Sequence, residues 1–339
     1  MTLSNRKILR TLLCLLAGTL YAVCLSACDA KEPLSENRDA EIESPVIAND
    51  LSNQKVTAIA EDTQGHIWIG TFRGLNKNNV HDYHQYFCTD DSLGLPDNQI
   101  THLLRDSKNR FWVGTVNGVC LYTDKDNFRI IPIEADNKNV RQILEDRNGR
   151  IFLNTGFQLY AYHPREEKIT CVLPEISPGN AFYAQCHIAP DNNLWVMTST
   201  GLRCYDLSTL QLKESVALNG YPYYSYLHNN ELWITGNHTL SIFDTRTRSF
   251  KPLPQPIAQN TTLCNADIDY IHPYGNNGLL LNTARHGMFY YNPGTGSVTR
   301  QDENGFPFEM PRFRISRMFT DSQQNLWIGS VDQGYTVCY

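Results

Sequence analysis

Five tryptophans, Trp68, Trp112, Trp195, Trp233 and Trp327, stand at one column of a repeated unit, and no other feature restricts the fold of this chain as much. The text around them recurs as TAIAEDTQGHIWIGTFRGL, THLLRDSKNRFWVGTVNGV, QCHIAPDNNLWVMTSTGL and RMFTDSQQNLWIGS. Weaker copies place Phe152, Trp233 and Leu280 at the same column, so that successive anchors lie 44, 40, 43, 38, 47 and 47 residues apart. Repeats of this length build solenoids, propellers or arrays. Within the first copy, residues 56–61 read as a strand, and Asp62-Thr63-Gln64-Gly65 carries the side-chain chemistry of a tight turn. Residues 66–71 form a second strand, Arg73-Gly74 a second turn, and strands three and four begin at Leu75 and Asp82. No copy holds an apolar stripe at helical spacing, which excludes helical solenoids. Four short antiparallel strands per unit, seven times over, predict an all-β, seven-bladed β-propeller with the tryptophans wedged between blades.

The two ends of the chain read differently. Arg6, Lys7 and Arg10 precede seventeen uncharged residues, 11–27, and Leu25-Ser26-Ala27-Cys28 has the form of a lipoprotein signal box. The expectation is a signal peptide over 1–27, lipidation of Cys28, a polar tether over 28–41 and the propeller over 42–339. An N-terminal transmembrane anchor is the alternative; both place the rest outside the cytoplasm, at the periplasm or outer membrane. From Cys28 onward, 26 Lys and Arg face 35 Asp and Glu without a basic cluster, which argues against a nucleic-acid partner and leaves the lipid anchor as the expected membrane contact. Seven cysteines follow Cys28 with no metal-type or C-x-x-C spacing, so a disulfide framework is not expected, and Cys120 and Cys204 read as buried third-strand residues.

Ile59, Asp62, Gly65, Trp68, Ile69, Gly70, Thr71, Gly74 and Leu75 in the first copy closely resemble the two-component regulator propeller repeat. So do Gly114, Thr115, Gly118 and Val119 in the second and Asp321, Trp327, Ile328, Gly329 and Ser330 in the last. The resemblance implies the periplasmic sensor half of a hybrid two-component system, of the Bacteroides type that responds to glycan breakdown products. No second propeller, kinase core, receiver or DNA-binding segment is read here. The expectation is therefore a stand-alone sensor-like module or a truncated remnant of a hybrid sensor.

Catalytic, metal and cofactor chemistry find no support in the motifs. His81-Asp82-Tyr83-His84 is the only close histidine pair, and strand alternation separates its two rings. Asp62, Asp106, Asp146 and Asp321 each stand six residues before an anchor, where an aspartate caps its own turn. Binding is better supported. The turn residues five after each anchor, including Arg73, Asn117, His238 and Arg285 with His286 adjacent, collect at one face of the ring and suit a polar ligand. Tyr221 and Tyr223 beside Pro222 offer flat aromatic surface for a sugar or a protein. The reading is a non-enzymatic ligand-binding propeller for an oligosaccharide or a partner protein. An interaction scaffold is one alternative, and a glycan lyase or hydrolase another. Ring closure is expected from residues 44–48, as the outer strand of the seventh blade beside residues 335–339.

Overall fold

The computed structural model describes residues 46–48, 50–79, 82–89, 94–123, 126–176 and 184–339. The signal, Cys28, the tether, Pro45 and His81 lie outside them. Seven antiparallel sheets succeed one another at residues 46–86, 100–131, 142–173, 185–217, 222–251, 268–300 and 315–338. In each sheet the blade strands neighbour one another in chain order, from the inside of the ring outward, and in the first sheet Val46–Ala48 is added beyond the fourth. The innermost strands are Val56–Glu61, Ile100–Arg105, Gln142–Glu145, Gln185–Ile188, Pro222–His228, Ile268–Tyr274 and Ile315–Thr320. Each packs against the innermost strands on both sides, the last against the first, so the sheets form a closed seven-bladed β-propeller. The expected strands of the first copy are found at Val56–Glu61, Ile67–Thr71, Gly74–Asn78 and Tyr83–Tyr86. Two single-turn helices, Gln255–Ala258 and Thr261–Cys264, interrupt the link between blades five and six.

The aspartates do more than cap turns. Oδ1 of Asp62, Asp106, Asp146 and Asp321 accepts the backbone N–H groups two and four residues on, at 2.8–3.0 Å. Oδ2 of Asp62, Asp106 and Asp321 accepts the indole N–H of Trp68, Trp112 and Trp327, each at 2.8 Å. Asp146 faces Phe152, which has no donor, and holds Arg150 Nε instead at 2.7 Å. Trp195 and Trp233 have Ala189 and Leu227 at that place, and their indole nitrogens are buried without a partner among the described residues. Turn and wedge are thus one unit, linked by a residue pair six apart.

Trp68, Trp112, Trp195 and Trp233 each reach an aromatic on the third strand of the following blade, whereas Trp327 stacks on Tyr335 of its own blade. Trp68 meets Tyr122 at 4.6 Å, Trp112 meets Tyr162 at 4.9 Å, and Trp195 meets Phe243 at 5.1 Å between ring centroids. The apolar core is accordingly divided into clusters lying between blades. Such area removed from water is the main stabilising term. Cys120 and Cys204 are buried in third strands, and no disulfide joins any two of the seven cysteines of the described residues.

Closure departs from the expected strand exchange. Val46–Ala48 runs antiparallel to Tyr83–Tyr86, with Val46 opposite Gln85, which makes it a fifth strand of blade one. Blade seven has three strands among the described residues, ending at Tyr335–Cys338. The reason lies in how the following segment is held: Gln85 Nε2 donates to the Asp50 carbonyl at 2.7 Å, and Ser52 N donates to Asn76 Oδ1 at 2.7 Å. Both bonds keep the entering chain over its own blade. The seam itself is sealed by side chains. Glu61 accepts Ser322 N at 2.8 Å and Ser322 Oγ at 2.6 Å, as Glu145 accepts Ser107 N and Oγ between blades two and three. Tyr83 and Tyr335 share a hydroxyl–hydroxyl bond of 2.7 Å, and Gly334 N donates to Gln54 O at 2.8 Å.

Candidate functional site

The innermost strands surround a channel of about 910 Å³. Five of them carry a register shift, at Val56/Ala58, Ile100/His102, Pro222/Tyr224, Ile268/Tyr270 and Ile315/Arg317. A bulge re-aims the residues on either side of it. Beyond these shifts one level of the ring is set by the residues that oppose the position two after each anchor: Ala58, His102, Gln142, Gln185, Tyr224, Tyr270 and Arg317. All but Ala58 line the channel.

Their environments decide their states. Burial pushes the imidazole of His102 down from 6.5 to about 4, with the Arg317 charge adding to it, and burial alone pushes His187 to about 4. Both rings are therefore uncharged at neutral pH. Burial raises Tyr226 and Tyr223 to about 12, and raises Tyr224 well above the ordinary phenol value. The Tyr224 hydroxyl donates to Ile271 O at 3.3 Å, and its ring lies 5.6 Å from that of Tyr270, tilted by 32°. Asp269 is raised by burial against the opposing hydrogen bond from Asn282 Nδ2, 2.6 Å away. Gln185 Oε1 accepts Ser225 N at 2.6 Å and Ser225 Oγ at 3.0 Å, while His187 Nε2 lies 2.8 Å from that hydroxyl. An imidazole that titrates near 4 is a weak base, so Ser225 is a tied inter-blade strut with no strong general base beside it. The lumen presents flat aromatic surface, neutral polar groups and, among its charged groups, the exposed guanidinium of Arg317.

Of the residues singled out in the sequence, Tyr223 lines this channel. Arg73, Asn117, His238, Arg285 and His286 sit on exposed turns between second and third strands, outside the lining. Those turns are built by a buried hydroxyl: Thr71, Thr115, Thr198 and Thr283 donate to the carbonyl of the glycine that opens the third strand. The backbone N–H groups of Arg73, Asn117 and His286 donate back to those hydroxyls. His238 is held by the next blade, its Nδ1 2.9 Å from Asn265 O and its N–H 3.1 Å from Asp267 Oδ1. Tyr221 is 67% exposed just before Pro222. His84 is in the outer strand Tyr83–Tyr86. The reading missed His102, Tyr224, Tyr270 and Arg317. Simple alternation does not bring Tyr224 to the lumen, because the bulge at Tyr223 leaves no mark in the sequence. A count of ten residues back from each anchor does reach His102, Gln142, Gln185, Tyr270 and Arg317.

Residues 50–73 and 94–117 match the profile of the family described as two component regulator propeller. The chain carries two component regulator propeller repeats. Its fold is shared with the extracellular domain assigned to a hybrid two component system of B. thetaiotaomicron, at a TM-score of 0.69 and 20% identity over 86% of this chain and 41% of that one. The extracellular domain assigned to a one component system of the same organism gives a TM-score of 0.66 and 21% identity, over 86% of this chain and 39% of that one. This propeller thus spans about two fifths of the length of those domains. Virginiamycin B lyase from Staphylococcus aureus shares the fold as well, at a TM-score of 0.64 and 14% identity over 86% and 97% of the two chains. No curated protein matches the chain in sequence.

Proposed function

We propose that this protein is an extracytoplasmic, non-enzymatic, sensor-like propeller that binds an oligosaccharide through its central channel. The observation that carries the reading is the ring of His102, Gln142, Gln185, Tyr224, Tyr270 and Arg317 around a lumen of about 910 Å³. Tyrosine faces suit the apolar faces of sugar rings, and the amides and imidazole suit their hydroxyls. Sensing as a role is supported by the regulator repeats and by the fold shared with extracellular domains assigned to regulatory systems. The extracytoplasmic location is supported by the same neighbours and by the export-type start of the sequence. Among the described residues no helix is long and apolar enough to cross a membrane.

Glycan arrays followed by calorimetry test the reading. Affinities in the millimolar-to-micromolar range are expected, about 4–8 kcal/mol. Tyr224→Ala should weaken binding at least ten-fold, whereas Arg73→Ala and Arg285→Ala report on the turn rim. Binding lost in the arginine variants and kept in Tyr224→Ala would move the site from the channel to the rim. A second reading, a protein-docking face, is favoured by the exposed aromatics on that rim, Phe72, Phe157 and Tyr221. It stands if no glycan binds and substitution of those three residues abolishes a protein complex.

A further inference from the structure

Arg317 projects from the innermost strand of blade seven and is exposed to the lumen. Its Nη1 donates to the carbonyl of the preceding residue, Ser316, at 2.7 Å, and among the described residues no carboxylate pairs with it. Other arginines of the fold are neutralised where they sit: Arg110 and Arg150 by Asp106 and Asp146, Arg129 by Glu167, Arg300 by Asp302. Two carboxylates do border the channel, and both are engaged elsewhere. Glu145 holds Ser107 at the blade-two turn, and Asp269 holds Asn282. Lys55 also borders the channel.

The field of Arg317 is felt across the lumen. It contributes to the depression of the His102 imidazole and opposes the rise of the Tyr224 phenol. Guanidinium, imidazole and phenol therefore border one lumen, in a protein whose formal net charge is −6. A guanidinium in a low-dielectric cleft makes its strongest hydrogen bonds with an anionic oxygen pair, which accepts from its planar fork.

We infer that the channel takes an oligosaccharide bearing an anionic substituent, a carboxylate or a sulfate, which seats on Arg317 while the sugar ring lies against Tyr224 and Tyr270. The inference rests on the channel reading given above and adds the charge of the ligand to it. His102 stands beside the seat as a neutral ring that can donate one N–H to the same anion. The tyrosines supply surface for any sugar, so selection between acidic and neutral glycans falls to Arg317.

The test uses oligosaccharides of two to four residues in matched pairs: a uronate-bearing glycan with its methyl ester, and a sulfated glycan with its desulfated form. Calorimetry is run on the full propeller. The acidic member of the best pair should bind at least ten-fold more tightly than its neutral counterpart, and raising the salt concentration should weaken it. Arg317→Gln should remove that preference without moving the thermal midpoint, Arg317→Lys should keep part of it, and Tyr224→Ala should weaken both members alike. Neutral members that bind as tightly as acidic ones, with Arg317→Gln unchanged, overturn the inference and leave the channel reading intact. If Arg317→Gln does not fold, the pairwise preference and its salt dependence in the unaltered protein decide the matter. Binding by no member of any pair overturns the channel reading, and the inference with it.

Discussion

At the scale of single residues, a six-residue spacing between Asp and Trp fixes each well-formed turn. Burial by itself raises the Asp62 and Asp321 carboxyls, but hydrogen bonds from Trp68 or Trp327 and from the turn backbone outweigh it and hold both below the ordinary carboxylate range. Blade four has the same turn without the aspartate. Ala189 N donates to Asn193 O at 2.9 Å, as the aspartates donate to the residue four on at 3.0 Å, yet Trp195 Nε1 is left buried and unpartnered. An unmade buried hydrogen bond costs about 1–3 kcal/mol and a satisfied one contributes about 1 kcal/mol net. Ala189→Asp is therefore expected to raise stability by about 1 kcal/mol, seen as a higher urea midpoint. In a Trp195→Phe background the gain should vanish or reverse, since the carboxylate then lacks its donor; an equal gain in both backgrounds would mean that Trp195 plays no part. Blade five offers no such repair, because its turn is a two-residue hairpin with His228 opposite Glu231. The aspartate column and the tryptophan column were both legible in the sequence. The bond between them was not, because alternation alone says nothing of two side chains that meet across a turn.

At the scale of elements, the innermost strands carry what is hardest to read. They line the lumen from positions about forty residues apart, and five of the seven are bulged, so no local motif gathers them. They also carry three histidines that are uncharged in the fold. Burial brings His102, His187 and His272 from the ordinary 6.5 to about 4. His187 and His272 are tied to hydroxyls of the next blade, Ser225 at 2.8 Å and Thr320 at 3.0 Å. Below pH 6.5 the unfolded chain binds protons that the fold refuses until about pH 4. Their contribution is thus complete above 6.5 and is lost as the pH falls through that window. The turn carboxylates act lower: Asp62, Asp146 and Asp321 are held below 3.8, and what they add is lost only as the pH falls past that value. Urea midpoints should be flat from pH 8 to 7 and decline between 6.5 and 4. His272→Gln should reduce that slope by up to about one proton. A midpoint that holds constant down to pH 4.5 would show that water reaches these rings well enough to charge them at no cost.

At the scale of the whole molecule, the ring closes by repeating between blades seven and one the contacts made between its other blades. The glycine two after the anchor is where this shows. A Cβ at Gly70 would stand 2.5 Å from Ile100 Cγ2, at Gly114 3.0 Å from Val140 Cγ1, and at Gly329 2.6 Å from Val56 Cγ1. Ile100 and Val56 open the innermost strand of the next blade and Val140 stands two residues before it, so blade one packs on blade seven as blade two packs on blade one. Repeat number and blade architecture were legible because seven anchors recur at intervals of 38 to 47 residues. The seam was not, because counting strands predicts an exchanged strand, whereas the bonds at Asp50, Ser52 and Tyr335 depend on which residues meet across the ring. Gly329→Ala forces a methyl group against Val56, a β-branched side chain with little freedom to turn away. Overpacking of this kind costs about 1–3 kcal/mol. The expected result is a thermal midpoint several degrees lower, with faster amide exchange confined to Val56–Glu61 and Leu326–Ser330. Gly114→Ala serves as the comparison: its effect should fall on the seam between blades two and three and leave those two strands protected. If Gly329→Ala leaves exchange at Val56–Glu61 unchanged, blades seven and one are not packed in this way, and closure has to be sought in the chain that precedes Val46.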